Sequence, residues 1–159
     1  MSLLAIGPRF TKGKRIKEVS VPEPASLGGK LNMTGPNSAP LEGATVLIVE
    51  DEFLLADDLV RALRDAGANP LDPVNSVKQA KEIMEREKLD AAILDLNLRG
   101  EMASDFVEQL VATDLPCLIV SGYGEDALPH SIGSLPRLEK PVNPPMVLEK
   151  LAAHLARAG

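Results

Sequence analysis

A chain of 159 residues, 45% hydrophobic but only 3% aromatic, suits one compact domain with a modest appendage and a core of Leu, Ile, Val, Ala and Met. No apolar run approaches the roughly 20 residues a membrane helix needs. No basic region precedes the short Leu3–Ile6 patch, and the single cysteine, Cys117, allows neither an internal disulfide nor a zinc site; a soluble, cytoplasmic protein with no membrane partner is expected. Residues 1–40 carry six Lys/Arg and two acids, net +4, while residues 41–159 carry eleven and twenty-one, net −10, within an overall charge of −6. A domain at −10 is a poor partner for nucleic acid, whose affinity comes from neutralising cations.

Residues 1–43 hold five prolines, six glycines and little periodicity, which reads as a flexible basic tail. Its cluster "KGKRIK" (Lys12 to Lys17) reads as solvated, and Met33 offers an alternative translation start. The pattern changes at Thr45. "TVLIV" (45–49) is a β-branched apolar run, hence a buried strand. Residues 52–66 form a helix with Leu55, Leu59, Ala62, Leu63 and Ala66 on its inner face and Gly67 as the stop. Residues 69–75 make a weak second strand, compromised by Pro70 and Pro73. Ser76 caps a second helix, completed by Gln79 as a capping box, with Val77, Ala80, Ile83 and Met84 inward.

"DAAILDL" (90–96) is the third strand, and 104–112 a third helix through Phe106, Val107, Leu110 and Val111. "CLIV" (117–120) and "PRLE" (136–139) are the fourth and fifth strands. Asn143 caps a last helix with Pro144 at its first position, where the missing N–H costs nothing, and with Val147, Leu148, Leu151 and Leu155 inward. Strands alternating with helices imply a parallel sheet covered on both faces.

Ligands of such a sheet bind beyond the carboxyl ends of the strands. The first strand ends in Glu50–Asp51–Glu52, the third at Asp95, the fourth in Ser121–Gly122, and the fifth runs into Lys140–Pro141. If these strands are neighbours, the polar groups converge on one edge. Clustered carboxylates repel unless a cation intervenes. Oxygen-only ligands, few of them from protein, suit Mg²⁺. Asp51 and Asp95 are then the direct ligands, Glu50 binds directly or through water, and the backbone carbonyl of Asn97 reaches the same ion. One Asp95 oxygen stays free as a nucleophile toward phosphorus. Ser121 and Lys140 would hold the phosphoryl oxygens. For Glu52 the simpler reading is preferred, a carboxylate opening a helix at the positive end of its dipole.

Together these residues resemble the receiver domain of two-component response regulators. "VLIVEDE" (46–52) is similar to the family's first strand and acidic pair, "LDLNL" (94–98) to its phospho-acceptor strand, "IVSG" (119–122) to its hydroxyl-bearing strand and "LEKP" (138–141) to its lysine–proline turn, typically cis. The resemblance covers about residues 44–158, within a receiver domain expected over 44–159. It implies a flavodoxin-like, doubly wound five-stranded parallel sheet of order 2-1-3-4-5. It also implies Asp95 as phospho-acceptor, Glu50 and Asp51 as acidic pair, Asn97 as carbonyl ligand, Ser121 as switch hydroxyl and Lys140 as phosphate partner, with Mg²⁺ as cofactor. "PCLIVSGYGEDALP" (116–129) and "NLRGEM" (97–102) resemble a narrower group, stand-alone alphaproteobacterial receivers with a Phe-Ala-Thr-Gly-Tyr-like signature, from which Ile119 and Val120 depart.

The usual aromatic three residues before the lysine is Arg137 here, which leaves Tyr123 as a substitute reporter of phosphorylation. The Gly- and Pro-rich segment after Ser121 predicts a short or mobile fourth helix that responds to phosphorylation. Nothing after Leu155 is long enough for an output domain. The expected protein is therefore a single-domain regulator, not an enzyme beyond its own Mg²⁺-dependent phosphorylation and dephosphorylation. It takes phosphate from a sensor histidine kinase or a histidine phosphotransfer protein and acts on an unknown downstream protein, as a weak homodimer, or as a phosphate sink. The alternative is a non-phosphorylated pseudo-receiver used only for binding. A haloacid-dehalogenase-like phosphatase is disfavoured because Asn97 stands where the leaving-group acid belongs. A nucleotide-binding flavodoxin-like protein lacks its Gly-rich loop after the first strand. Cys117 reads as core, and His130 and His154 as surface.

Overall fold

The computed structural model describes residues 39–122 and 132–158. Residues 1–38 of the expected tail (1–43) and residues 123–131 of the segment after Ser121 expected to hold a short or mobile fourth helix, with Tyr123 and His130, lie outside the described residues. The elements in chain order are β1 (Thr45–Val49), α1 (Phe53–Asp65), β2 (Asn69–Pro70), α2 (Val77–Met84), β3 (Ala91–Asp95), β4 (Asn97–Leu98), β5 (Glu101–Met102), α3 (Ser104–Val111), β6 (Cys117–Ser121), β7 (Arg137–Glu139) and α4 (Pro144–Ala158).

β1, β3 and β6 are apolar on both faces because both faces are covered. Val46, Ile48, Ile93, Leu118 and Val120 pack with α1 and α4 residues such as Leu59, Leu63, Val147 and Leu151. The alternate set, Leu47, Leu94, Cys117 and Ile119, packs with Ala80 of α2 and with Phe106, Val107 and Leu110 of α3. The main sheet is parallel throughout, in the order β2-β1-β3-β6-β7. Leaving aside the small β4–β5 hairpin, this is the expected order 2-1-3-4-5, with helices on both faces.

Local signals explain the boundaries. Gly67, at φ +83°, ends α1 in a paired cap: its N–H bonds Arg64 O at 3.0 Å and the Ala68 N–H bonds Leu63 O at 3.0 Å. Ser76 Oγ accepts the Gln79 N–H at 3.4 Å, while Gln79 Oε1 accepts the Asn75 N–H at 3.3 Å. Asn143 Oδ1 accepts the Met146 N–H at 3.1 Å at the start of α4.

Four expectations need correction. The second strand shrinks to Asn69–Pro70. Pairing with β1 lapses at Asp72–Pro73 and resumes at Val74, one residue out of register, because Pro73 brings no N–H to the ladder. Val111 is 39% exposed, since it falls one position beyond the inward stripe that ends at Leu110. Packing begins ahead of residue 44: Leu41, in a 3₁₀ turn over Ala39–Leu41, is 1% exposed within the α1/α4 core. His154 is half-buried rather than on the surface.

Candidate functional site

The edge of the sheet at the carboxyl ends of its strands collects the polar groups. Parallel register aligns Val49 with Leu94, Asp95 with Val120, and Ser121 with Glu139. Glu50 therefore leaves β1, Asp95 ends β3 and Ser121 ends β6 at one level. The Lys140 N–H, just past β7, bonds the Ser121 carbonyl at 2.9 Å. Among the described residues, Glu50, Asp95 and Ser121 are the buried polar side chains, at 4%, 5% and 3% exposure. A buried carboxylate is unfavourable unless paired.

The pairing comes from Lys140. Its Nζ lies 2.8 Å from Asp95 Oδ2, 3.0 Å from Glu50 Oε1 and 2.7 Å from Glu52 Oε1. Burial disfavours the ammonium, but Asp95, Glu52 and Glu50 outweigh it and hold the lysine pKa well above its ordinary value. Burial pushes Glu50 up, against the opposing pull of the Glu52 N–H and of Lys140. The Lys140–Pro141 peptide is cis.

Backbone donors fix the remaining oxygens. The Glu52 N–H bonds Glu50 Oε1 at 3.0 Å, and the Asn97 N–H bonds Asp95 Oδ1 at 2.9 Å. Past Asp95 the chain folds into the β4–β5 hairpin, whose two turn residues, Arg99 and Gly100, both have positive φ, +54° and +87°. The Gly100 N–H bonds Asn97 Oδ1 at 2.8 Å, and the Arg99 N–H reaches across to Asp51 Oδ2 at 3.0 Å. The hairpin is thereby tied to the acidic turn after β1.

Glu50, Asp51 and Asp95 each place a carboxylate oxygen within 4.8 Å of the others. Two of the three are buried, the donor set is all oxygen, and the one ammonium offsets only part of their charge. These residues fit a hard divalent cation. Asp51, Glu52, Asp95, Asn97, Arg99, Gly100, Gly122 and Lys140 line a cavity of about 360 Å³ above them. Just outside, Phe53 and Leu54 open α1 at 79% and 77% exposure.

Of the residues singled out in the sequence, Asp51, Asp95, Asn97 and Lys140 line the cavity. Glu50 joins them through its grouping with Asp51 and Asp95 and its contact with Lys140, and Ser121 is buried at the end of β6 outside the cavity lining. Two neighbours differ from the sequence reading, which takes Glu52 as a helix opener and does not single out Arg99. Glu52 stands at the N-cap of α1 but makes no cap hydrogen bond, and its carboxylate turns to Lys140 instead. Arg99 sits in a hairpin whose strands of two residues are too short for a periodicity signal. The Arg-Gly pair was the available cue, since a two-residue hairpin turn needs positive φ twice.

Residues 46–152 match the family model described as the response regulator receiver domain. The solution structure of SdrG from Sphingomonas melonis Fr1 is 37% identical, with 71% of this chain and 97% of that one covered and a TM-score of 0.62. A CheY-like receiver domain from Methylobacillus flagellatus is 30% identical over 72% of this chain and 99% of its own, with a TM-score of 0.59. The phosphate regulon transcriptional regulatory protein PhoB of Pseudomonas aeruginosa is 28% identical over 74% of this chain. The chain spans about half the length of curated relatives such as PhoB, 54%, and YvrH of Bacillus subtilis, 51%.

Proposed function

The chain belongs to the response regulator receiver family, and from that premise we propose that it accepts a phosphoryl group on Asp95 in a Mg²⁺-dependent reaction and signals through protein–protein contacts as a single-domain regulator. The observation that carries the reading is the placement of Asp95. Its carboxylate is buried at the end of a central strand, with one oxygen held by the Asn97 N–H and the other by Lys140. A nucleophile held in one orientation lowers the cost of reaching phosphorus in line.

In the proposed step an Asp95 oxygen attacks the phosphorus of a phosphohistidine. The O–P bond forms, the N–P bond breaks, and the imidazole nitrogen leaves and takes up a proton. The Lys140 ammonium and the Ser121 hydroxyl donate to the phosphoryl oxygens. Glu50, Asp51, Asp95 and the Asn97 carbonyl would hold Mg²⁺, which supplies neutralising charge to the phosphoryl group. The donor is a sensor histidine kinase or a histidine phosphotransfer protein. Phe53 and Leu54, the most exposed large apolar side chains among the described residues, adjoin the pocket a donor protein must reach. The competing pseudo-receiver reading would leave the buried acids as a binding device, yet no side chain of the transfer chemistry is missing.

The test is intact mass after phosphoramidate, an N–P donor, with Mg²⁺ or EDTA, beside Asp95→Asn. One phosphoryl adduct that needs both Mg²⁺ and Asp95 supports the reading. No adduct from phosphoramidate or from a phosphorylated histidine protein leaves the pseudo-receiver.

A further inference from the structure

Arg99 lines the same cavity as Asp51, Glu52, Asp95 and Lys140, yet it makes no ion pair with any described residue. An arginine beside so many carboxylates would ordinarily be drawn into one of them. Here the carboxylates are held by other donors: Lys140 takes Glu50, Glu52 and Asp95, and the backbone N–H of Arg99 takes Asp51. Arg99 is solvent-exposed, and none of these carboxylates engages its guanidinium.

The backbone makes its presence there more telling. Arg99 and Gly100 form a two-residue hairpin turn with positive φ at both positions. Such turns favour Gly, which has no Cβ, or Asn and Asp, whose short polar side chains hydrogen-bond locally, at the first position, and a long side chain such as Arg is disfavoured in the left-handed region. A residue held in a disfavoured conformation at the rim of a site points to a role for its side chain.

Charge supplies that role. Glu50, Asp51, Glu52 and Asp95 carry four formal negative charges against one positive charge on Lys140. A divalent cation reduces the excess to one. A phosphoryl donor, itself anionic, still meets a negative pocket unless another cation faces it. Arg99 is that cation, and it brings the count to zero.

We propose that Arg99 is a second cationic partner, beside Lys140, for the oxygens of the incoming phosphoryl group, so that it sets the rate at which Asp95 is phosphorylated. The inference rests on the phospho-acceptor reading above. It predicts a binding role for a side chain in the hairpin, distinct from the scaffold role of the Arg99 N–H on Asp51, which any non-proline residue can supply.

The experiment separates the two roles. Wild type, Arg99→Asn and Arg99→Lys are labelled with phosphoramidate and Mg²⁺ and followed by intact mass, and each is unfolded in urea. Asn suits the turn, so Arg99→Asn should unfold at the same urea concentration as wild type or higher. It should nevertheless label about tenfold more slowly. Arg99→Lys should fall between the two, and the gap between wild type and Arg99→Asn should narrow as salt is raised. Labelling of Arg99→Asn at the wild-type rate overturns the inference, as does equal loss in Arg99→Asn and Arg99→Lys. A wild type that takes no label would instead overturn the phospho-acceptor reading, and the inference with it.

Discussion

Replacing Lys140 by Met should separate the two jobs its ammonium performs. The stem of methionine fills much of the same space, but no charge remains to compensate Glu50 and Asp95, which are 4% and 5% exposed. Removing one partner of a buried ion pair costs about 3–5 kcal/mol. Two features lower that figure here. Lys140 keeps 15% of its side-chain surface in water, and Glu50, whose pKa burial already raises, can take up a proton. A loss of about 3 kcal/mol in EDTA is therefore expected, equivalent to about 1–3 M in urea midpoint for a domain of this size. Mg²⁺ should restore much of it, because an ion that binds only the folded state at 100 times its Kd contributes about 2.7 kcal/mol. It should stabilise the variant more than wild type, where the ammonium competes for the same oxygens. Lowering the pH should also help the variant. Its folded state holds a proton on Glu50, whose pKa burial raises, more tightly than the unfolded chain does, so stability rises as pH falls. The assay is urea unfolding by far-ultraviolet circular dichroism with EDTA or Mg²⁺. A variant within about 0.5 kcal/mol of wild type in EDTA, or one that gains nothing extra from Mg²⁺, would refute the reasoning.

Burial pushes the Cys117 thiol up to about 12, which leaves a thiolate fraction of about one in ten thousand at pH 8; a thiol reagent should label it only after unfolding, and rapid native labelling would contradict its place in the core. His154 should titrate below its ordinary 6.5, because burial and then Arg157 disfavour the imidazolium; stability from the neutral ring is complete above about 6.5 and is lost as pH falls through the lowered folded value. Proton NMR of the ring should show that midpoint, and a value above 6.5 would sink the assignment. Leu118→Ala, at a fully buried position of β6, should cost about 2–5 kcal/mol in urea unfolding. A cost under about 1 kcal/mol would mean that this strand is not central to the core.

The sheet was legible because each buried strand is a short apolar run that stops at a polar residue, and a two-sided core leaves no room for polar residues before the strand end. Glu50, Asp95 and Ser121 stood out for that reason. Asn143–Pro144 and Ser76–Gln79 carried their helix starts in local chemistry that needs no tertiary partner. The losses have equally local causes. Pro70 and Pro73 hid how far residues 69–74 follow β1, since the chain tracks the strand while lacking donors to pair throughout. Leu41 looked like part of a Pro/Gly-rich tail because its burial depends on α1 and α4, more than ten residues away. Glu52 read as a helix opener because nothing in sequence shows an ammonium arriving from residue 140. Arg99 needed the hairpin, and a strand of two residues has no period to detect.

In the proposed function an Asp95 carboxylate oxygen forms the bond to phosphorus. The most direct measurement is to phosphorylate the protein with phosphoramidate and Mg²⁺, reduce it with borohydride, and sequence the digested peptides by mass spectrometry. Borohydride converts an aspartyl phosphate to homoserine, so the account predicts homoserine at position 95 in the Mg²⁺ sample and none in the EDTA sample. Homoserine at Asp51, or at no position, would contradict it.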